Sequence, residues 1–532
     1  MPSLKKLPVG IQAFETIRKN GYLYVDKTEF IFRMADEGMF YFLARPRRFG
    51  KSLLVSVLKC LFQGKRELFE GLWIAQRSEW EWKEHPIVSI DFNEIPRSDP
   101  KKLEQGISLS LKCTAENYGV SLKTDFIETQ FRELLTGLKK QTCNDAVILI
   151  DEYDKPIIDH LGKGKEALET ARANRDILKS FFGVLKGAEV SPILRFVFIT
   201  GVSKFSRVSI FSELNNLNDI TMSLKYAEML GYTQAELETC FEGHIARFAE
   251  TSGQCAEQIK SEMMRHYDGY RFSKKNIRVC NPFSVLRAFA ESDFQNYWFE
   301  TGTPSFLVNL LREKQFHLPE LENLEVAEQV FSTYNIDCLK PEALLFQTGY
   351  VTIHDMRDGL YVLAYPNEEV KNAFLRYLLF SHTQDISGSE SSKFIKLSAC
   401  LRKEEFNAFF ETVTAIFASI PYTLNTKRDE SYFHTLFYLM VSASGADVGT
   451  EILTSRGRID LVVEFSDKVF IMEFKCNQNA DTALKQILAK GYGDKYKQSG
   501  KKLFLIGINF STEKRNLAEW KVESETDPRC EQ

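Results

Sequence analysis

Four short, nearly unbroken apolar runs punctuate the first part of the chain: MFYFLA at Met39–Ala44, IVSIDF at Ile87–Phe92, AVILI at Ala146–Ile150 and FVFIT at Phe196–Thr200. A strand that is apolar at every position is covered on both faces, and helices packed on a parallel sheet provide that cover. Helix-period segments lie between the runs. Leu53, Leu54, Val57, Leu58, Leu61 and Phe62 repeat at helical spacing, as do Ile127, Phe131, Leu134, Leu135 and Leu138. The alternation predicts an α/β domain with right-handed crossovers over residues 1–225.

A chain of 532 residues exceeds one hydrophobic core, and at roughly 150 residues per domain about three domains are expected. Residues 226–325 read as a helical segment of lid or winged-helix type. Residues 326–420 read as a mixed connecting region, with a strand, a turn at Arg357–Gly359 and a returning strand. Residues 421–532 read as a further α/β domain in the order helix, three strands, helix, strand. Hydrophobic content of 44% with 26% charged residues fits a folded, water-exposed protein. No apolar run approaches the roughly 20 residues of a membrane span, and MPSLKKLPVG lacks a secretory core, so a cytoplasmic protein without a membrane partner is expected. Ten cysteines without a CxxC pair suggest reduced, mostly buried thiols and no zinc cluster or disulfide framework. A net charge of −4 neither requires nor forbids a nucleic-acid partner.

Between the first strand and the first helix stands LARPRRFGKS, Leu43–Ser52. Gly50, Lys51 and Ser52 match the end of a phosphate-binding loop. There backbone N–H groups and the helix N-terminus hold phosphates, the lysine reaches the β- and γ-phosphates, and the hydroxyl binds magnesium. Arg45 stands where the pattern begins with glycine, and Pro46 fixes one φ angle. The loop as a whole, Arg45, Pro46, Arg47, Arg48, Phe49, Gly50, Lys51 and Ser52, is the candidate nucleotide cradle, with the three arginines offering further phosphate contacts. AVILI runs directly into Asp151 and Glu152. A carboxylate at the tip of a buried strand suits magnesium, and the next acid suits the attacking water. Asp151 is therefore assigned to the metal and Glu152 to the water. FVFIT ends in Thr200 and Ser203, candidate sensors of the γ-phosphate if the sheet has the additional-strand order, and Arg207 is a candidate arginine finger.

YVDKT at Tyr24–Thr28, ARPRRFGKSLL, ILIDEYDKP, FITGVSKFS and DGYRF resemble the bacterial AAA-ATPase-like family whose members carry a C-terminal PD-(D/E)XK nuclease-like domain. The resemblance spans essentially the whole chain. It implies that arginine is the family's residue at the first loop position. It also implies that Lys51 and Ser52 serve phosphate and magnesium, and that Asp151 and Glu152 serve metal and hydrolysis.

The C-terminal part carries a second chemistry. Asp460 in RIDLVV precedes Glu473 and Lys475 in IMEFK, and a hairpin through SDK would pair the two acids. Adjacent carboxylates repel unless a cation lies between them, and magnesium, a hard oxygen-seeking ion, fits there. Asp460 and Glu473 are therefore candidate metal ligands. Lys475 shares the face of Glu473 and is placed to orient a water or offset charge on a phosphodiester. This is the PD-(D/E)XK arrangement. By resemblance, Glu430 is its helix-borne acid, Gln486 its polar residue on the following helix, and His434 the histidine of the first helix. A lone ExK is usually a solvated strand face; the ordered set is what points to a nuclease fold. Lys485, Lys490, Lys495, Lys497, Lys501 and Lys502, interleaved with Tyr492 and Tyr496, form a candidate basic groove for a phosphate backbone.

These readings predict an α/β multidomain protein: a P-loop NTPase sheet of additional-strand type, a helical middle and a restriction-endonuclease-like C-terminal domain. They predict ATP as ligand, Mg2+ as ion with Mn2+ able to replace it at the second site, DNA or RNA as partner, and room for a homo-oligomer. The leading functional expectation is an ATPase coupled to a metal-dependent deoxyribonuclease, serving in defence against foreign DNA. The alternative is an ATP-driven switch whose nuclease-like domain only binds nucleic acid or protein.

Overall fold

The protein is described by a computed structural model, which covers residues 4–204, 211, 214, 216–298, 307–308, 310–311, 314, 316, 318–331, 339–383, 391–420, 429–454, 456–497 and 499–525. Arg207 lies outside the described residues. Two compact units are present, residues 1–311 with 325–369, and residues 312–324 with 370–532.

The first unit is built on a five-stranded sheet. Its strands are β1 (Phe40–Ala44), β2 (Ile87–Asp91), β3 (Ala146–Asp151), β4 (Leu194–Gly201) and β5 (Asn218–Asp219), in the order β2-β3-β4-β1-β5. All neighbours run parallel. β4 is inserted between the phosphate-loop strand and the strand carrying Asp151, which is the additional-strand order expected. β1 and β3 are buried at every position, because helices cover both faces. The helix Lys51–Phe62 buries Leu54, Val57, Leu58, Leu61 and Phe62, and the helix Ile127–Thr142 buries Ile127, Phe131, Leu134, Leu135 and Leu138. Aromatic rings fill the space beneath, with Phe62 and Phe196 at 5.0 Å.

Helices Gln234–Cys240, Glu242–Ser252, Ala256–Tyr267 and Pro282–Glu291 follow. Phe241, Ile245, Ile259, Met263 and Phe289 form their core together with Leu23 and Val25 from the N-terminal stretch. The YVDKT motif holds this packing. Asp26 accepts from the N–H and hydroxyl of Thr28 and from the N–H of Trp73 at 2.6–2.8 Å, while Lys27 pairs with Glu236 at 2.5 Å. In DGYRF, Gly269 has φ +102° and its Cα faces the carbonyl of Pro366, where a Cβ would stand 1.9 Å from the oxygen. No other residue fits there. The expected strand, turn and returning strand are Thr352–Arg357 and Leu360–Ala364, with Asp358 and Gly359 both at positive φ, as a two-residue hairpin requires.

The second unit carries a mixed five-stranded sheet in the spatial order Asn516–Glu525, Lys502–Ser511, Lys468–Cys476, Gly457–Glu464, Asp447–Thr454. The last strand, Asn516–Glu525, was not expected: LAEWKVESE alternates polar and apolar residues and follows a polar turn, the pattern of an edge strand facing water. Helices Glu430–Ala443 and Ala480–Lys490 pack on the sheet. So does Phe406–Ser419, with Phe406 5.3 Å from Phe504 and Phe410 stacked 4.5 Å from Trp520.

The cysteines are free among the described residues, but not mostly buried. Cys60, Cys280 and Cys400 are buried, whereas Cys113, Cys143, Cys240 and Cys255 are exposed. Single cysteines on polar helix faces and turns have no apolar face to join. Among the described residues no helix is long and apolar enough to cross a membrane.

Candidate functional site

β1 ends at Ala44, and the chain turns through residues 45–50 into the helix Lys51–Phe62. Arg48 (φ +68°) and Gly50 (φ +90°) adopt left-handed backbone there. Gly50 caps the helix, and its left-handed φ is the conformation glycine takes without strain. A cleft of about 340 Å³ opens beside this turn. Arg47, Arg48, Gly50, Lys51 and Ser52 line it together with Asn93, Glu152 and Lys155. Tyr232, Phe283 and Leu286 close its apolar end. Lys51 is buried, donates to the carbonyl of Pro46 at 3.2 Å and lies 3.7 Å from Glu152. Burial pushes the carboxyl of Asp151 up to about 6; the Ser52 hydroxyl bonded to it and the nearby Lys51 oppose the rise, and Glu152 and Asp91 add to it. Ser52, Asp151, Glu152 and Lys51 are thus brought together from two strand ends that are not neighbours. Glu152 sits at φ +51°, a strained position for a non-glycine residue, with its N–H bonded to Asp151 Oδ1 at 2.9 Å.

Several expected ligands lie elsewhere. Arg45 turns inward, 2% exposed. Its Nη1 donates to the carbonyls of Ala44 (3.0 Å) and Thr221 (2.6 Å), and its Cζ lies 4.2 Å over the ring of Phe272. Burial lowers this guanidinium to about 9, with Asp219 opposing. Arg45 therefore anchors the loop entry to β5 and DGYRF and leaves phosphate contacts to the rest of the loop. Phe49 is buried against Tyr270 (4.7 Å) and Phe272 (5.3 Å), and Pro46 packs close to Gly349, so both offer only backbone to the cleft. Thr200 and Ser203, the expected sensors, do not line the cleft. The Thr200 hydroxyl is donated to the carbonyl of Leu43 at 2.7 Å, tying β4 to β1, and Ser203 is fully buried. Thr200, near the end of a central strand, thus satisfies the neighbouring backbone, whereas the Ser203 hydroxyl is buried without a hydrogen-bond partner among the described residues.

Asp154 was missed by sequence reasoning. This buried carboxylate accepts from the N–H groups of Val202 (3.1 Å) and Ser203 (2.6 Å), clamping the ends of β3 and β4 together. Its signal was present: a third acid in DEYD, just ahead of the buried Pro156 and Ile157. Burial, aided by the charge of Glu152, pushes its carboxyl up to about 7 from the ordinary 3.8. The folded protein then holds a proton that the unfolded chain releases, so stability falls as pH rises between those two values. Asp154→Asn keeps an oxygen for both N–H donors and is expected to flatten that fall, which urea midpoints at about pH 4 and about pH 8 would register.

In the second unit the antiparallel register Leu461↔Met472 sets Asp460 across from Glu473, as the hairpin argument anticipated. Asp460 Oδ2 accepts from the N–H of Phe474 at 2.8 Å. Glu473 is 1% exposed; its Oε1 meets Lys475 Nζ at 3.4 Å and the amide of Gln486, and its Oε2 is buried without a partner. Burial and then the charge of Asp460 push the carboxyl of Glu473 well up. An acid pair with one orphaned oxygen is the donor set a hard divalent cation stabilises. Glu430 stands exposed at the start of its helix and acts on Glu473 through its charge. His434 is packed 4.9 Å from Phe474 and its Nε2 bonds to the backbone carbonyl of Asp460, which fixes that strand. Among the described residues no three His, Cys, Asp or Glu side chains gather as a metal cluster. Each candidate magnesium would therefore rest on two side chains and complete its shell with water, the usual habit of that ion.

The basic groove takes a different form from the one expected. Tyr492 and Tyr496 are buried in the apolar cluster with Ile487 and Leu505 and offer no face for bases, because their positions fall on the inner side of the helix and turn. Lys501 pairs with Glu464 (3.1 Å), Lys502 with Glu404 (2.6 Å) and Lys497 with Asp494 (2.9 Å), while Lys485, Lys490 and Lys495 are exposed. Tyr492 instead bonds its hydroxyl to Gln486, within the electrostatic reach of Glu473 and Asp460.

Residues 8–211 match the family model described as "Predicted AAA-ATPase", and residues 428–520 match the PD-(D/E)XK nuclease superfamily. A protein of Azotobacter chroococcum mcd 1, "Uncharacterized protein in vnfD 5'region", is 37% identical over 534 residues, covering 98% of this chain and 99% of that one. No solved structure matches. With motifs, both domain models and full-length similarity in agreement, the chain belongs to the AAA-ATPase-like family whose members carry a C-terminal domain of the PD-(D/E)XK nuclease superfamily.

Proposed function

We propose that this protein binds and hydrolyses ATP and couples that cycle to a magnesium-dependent DNA nuclease domain. One recurring arrangement carries the reading: in each unit two acids on a buried strand or at its tip stand beside a lysine. These are Asp151 and Glu152 with Lys51, and Asp460 and Glu473 with Lys475.

At the first site the loop backbone and Lys51 take the phosphates, Ser52 and Asp151 hold magnesium, and Glu152 accepts the proton of the attacking water. At the second, Asp460 and Glu473 hold the ion, Gln486 fixes the Glu473 carboxylate, and Lys475 orients the attacking water. Magnesium, when bound, neutralises phosphate oxygens and lowers the pKa of a bound water, and manganese can replace it at the nuclease site. The helical segment is suited to follow the nucleotide. Trp298 Nε1 donates to the carbonyl of Arg47 at 3.1 Å, and the Arg48 guanidinium lies 4.6 Å over Phe283. Defence against foreign DNA, a cytoplasmic location, homo-oligomerisation and the segments 1–225, 226–325, 326–420 and 421–532 belong to the same proposal.

The test is cleavage of plasmid, single-stranded DNA and RNA by the purified protein, in magnesium or manganese, with and without ATP. Metal-dependent cleavage that responds to ATP is expected. ATP hydrolysis without cleavage under any condition would instead favour a switch whose nuclease-like domain only binds nucleic acid or protein.

A further inference from the structure

Glu152 and Lys155 are the partly exposed members of the run from Asp151 to Ile157, and both line the nucleotide cleft. Everything around Lys155 is fixed. Tyr153, Asp154, Pro156 and Ile157 are buried. Tyr153 donates its hydroxyl to the carbonyl of Ser203 at 2.7 Å, and the Asp154 carboxylate holds the N–H groups of Val202 and Ser203. The Pro156 carbonyl accepts from Asn174 at 2.8 Å, and Lys155 donates its own N–H to the carbonyl of Glu152 at 3.0 Å. The Lys155 ammonium, by contrast, makes no ion pair or hydrogen bond among the described residues. A cation with a rigid root and an uncommitted head, one turn from the hydrolytic acid, lines the same cleft as Lys51.

Phosphoryl transfer needs positive charge beside the transferring group. As water attacks, its oxygen bonds to the γ-phosphorus, and the bond from that phosphorus to the β,γ-bridging oxygen breaks. The electron pair stays on ADP, the water proton passes to Glu152, and inorganic phosphate leaves. Negative charge grows on the transferring group and the bridging oxygen, and in many NTPases an arginine, often from a second subunit, offsets it. We infer that Lys155 is the catalytic residue that supplies this charge from within the same chain, so that hydrolysis requires no cation from a neighbouring copy. The inference rests on the ATPase reading above and extends it.

The test uses the full-length protein and its Lys155→Ala, Lys155→Arg and Lys51→Ala variants. kcat and KM for ATP are measured across a protein dilution series, together with the affinity of a fluorescent ADP, alone and with aluminium fluoride as mimic of the transferring phosphoryl group. Lys155→Ala is expected to lose about 10²–10³-fold in kcat with KM changed by less than about threefold, and Lys155→Arg to recover part of the rate. The Ala variant should keep ADP affinity, which also shows that it folds, and lose the extra affinity conferred by aluminium fluoride. Wild-type activity per chain should stay constant on dilution. The inference is overturned if Lys155→Ala retains wild-type kcat, if ADP and the aluminium fluoride complex weaken equally, or if activity per chain collapses on dilution. Wild-type protein as inert as Lys51→Ala would overturn the ATPase reading as well, whereas an active wild type with an unaltered Lys155→Ala would sink only this inference.

Discussion

Asp460→Ala is expected to reduce metal-dependent DNA cleavage by about 10³-fold or more while leaving ATP hydrolysis within about twofold of wild type. The size of the effect follows from what remains. Without Asp460 the ion would rest on Glu473 alone, whose own carboxylate is held by Lys475 and Gln486. The alanine also strips an acceptor from the N–H of Phe474, so a structural loss must be separated from a chemical one. Asp460→Asn separates them, since the amide oxygen can keep that hydrogen bond while the charge is gone. Both variants should be inactive in a plasmid-nicking assay with magnesium. An asparagine variant that still cuts would mean the acid pair serves the fold and not the reaction.

Glu152→Gln should lower kcat for ATP by about 10²–10⁴-fold, the range a positioned general base contributes, with ATP binding retained. Binding is expected to tighten, because the substitution removes the carboxylate that lies 3.7 Å from the Lys51 ammonium and competes with phosphate for it. Phosphate release and fluorescent-nucleotide titration measured on one preparation would check both halves. Hydrolysis at the wild-type rate would remove Glu152 from the mechanism and turn attention to Asp151.

The sheet of the first unit was legible because burial on both faces writes itself into the sequence as unbroken apolar runs, and the order of its strands followed from the phosphate loop and the acid-tipped strand. The acid pair was legible too, since a hairpin register is arithmetic once the turn is found. Side-chain direction at strand ends was not. Arg45 sits in the same string as Arg47 and Arg48, and nothing in RPRR tells that the first points down to Thr221 and Phe272 while the other two line the cleft. Thr200 was read as facing outward, but the backbone of Leu43, more than a hundred residues earlier, claims its hydroxyl. The partners of Lys501 and Lys502 are Glu464 and Glu404, distant in sequence and invisible to any local count of charge. Asp154 and Lys155 carry no pattern of their own: both sit within ILIDEYDKP, and only the fold turns one onto the N–H groups of Val202 and Ser203 and the other to the cleft.

The strand order also sets a timetable for synthesis. β1 pairs only with β4 and β5, so Phe40–Ala44 has no partner until residues 194–201 have been made. At about 5–20 residues per second that wait is on the order of ten seconds or more. Throughout it, the chain displays FYFLA, a segment of the composition that drives intermolecular strand pairing. The residues that follow at once are Arg45, Pro46, Arg47 and Arg48. Charges and a proline flanking an apolar strand act as gatekeepers against aggregation. The stretch that opens the nucleotide loop in the finished protein thus also guards the nascent one.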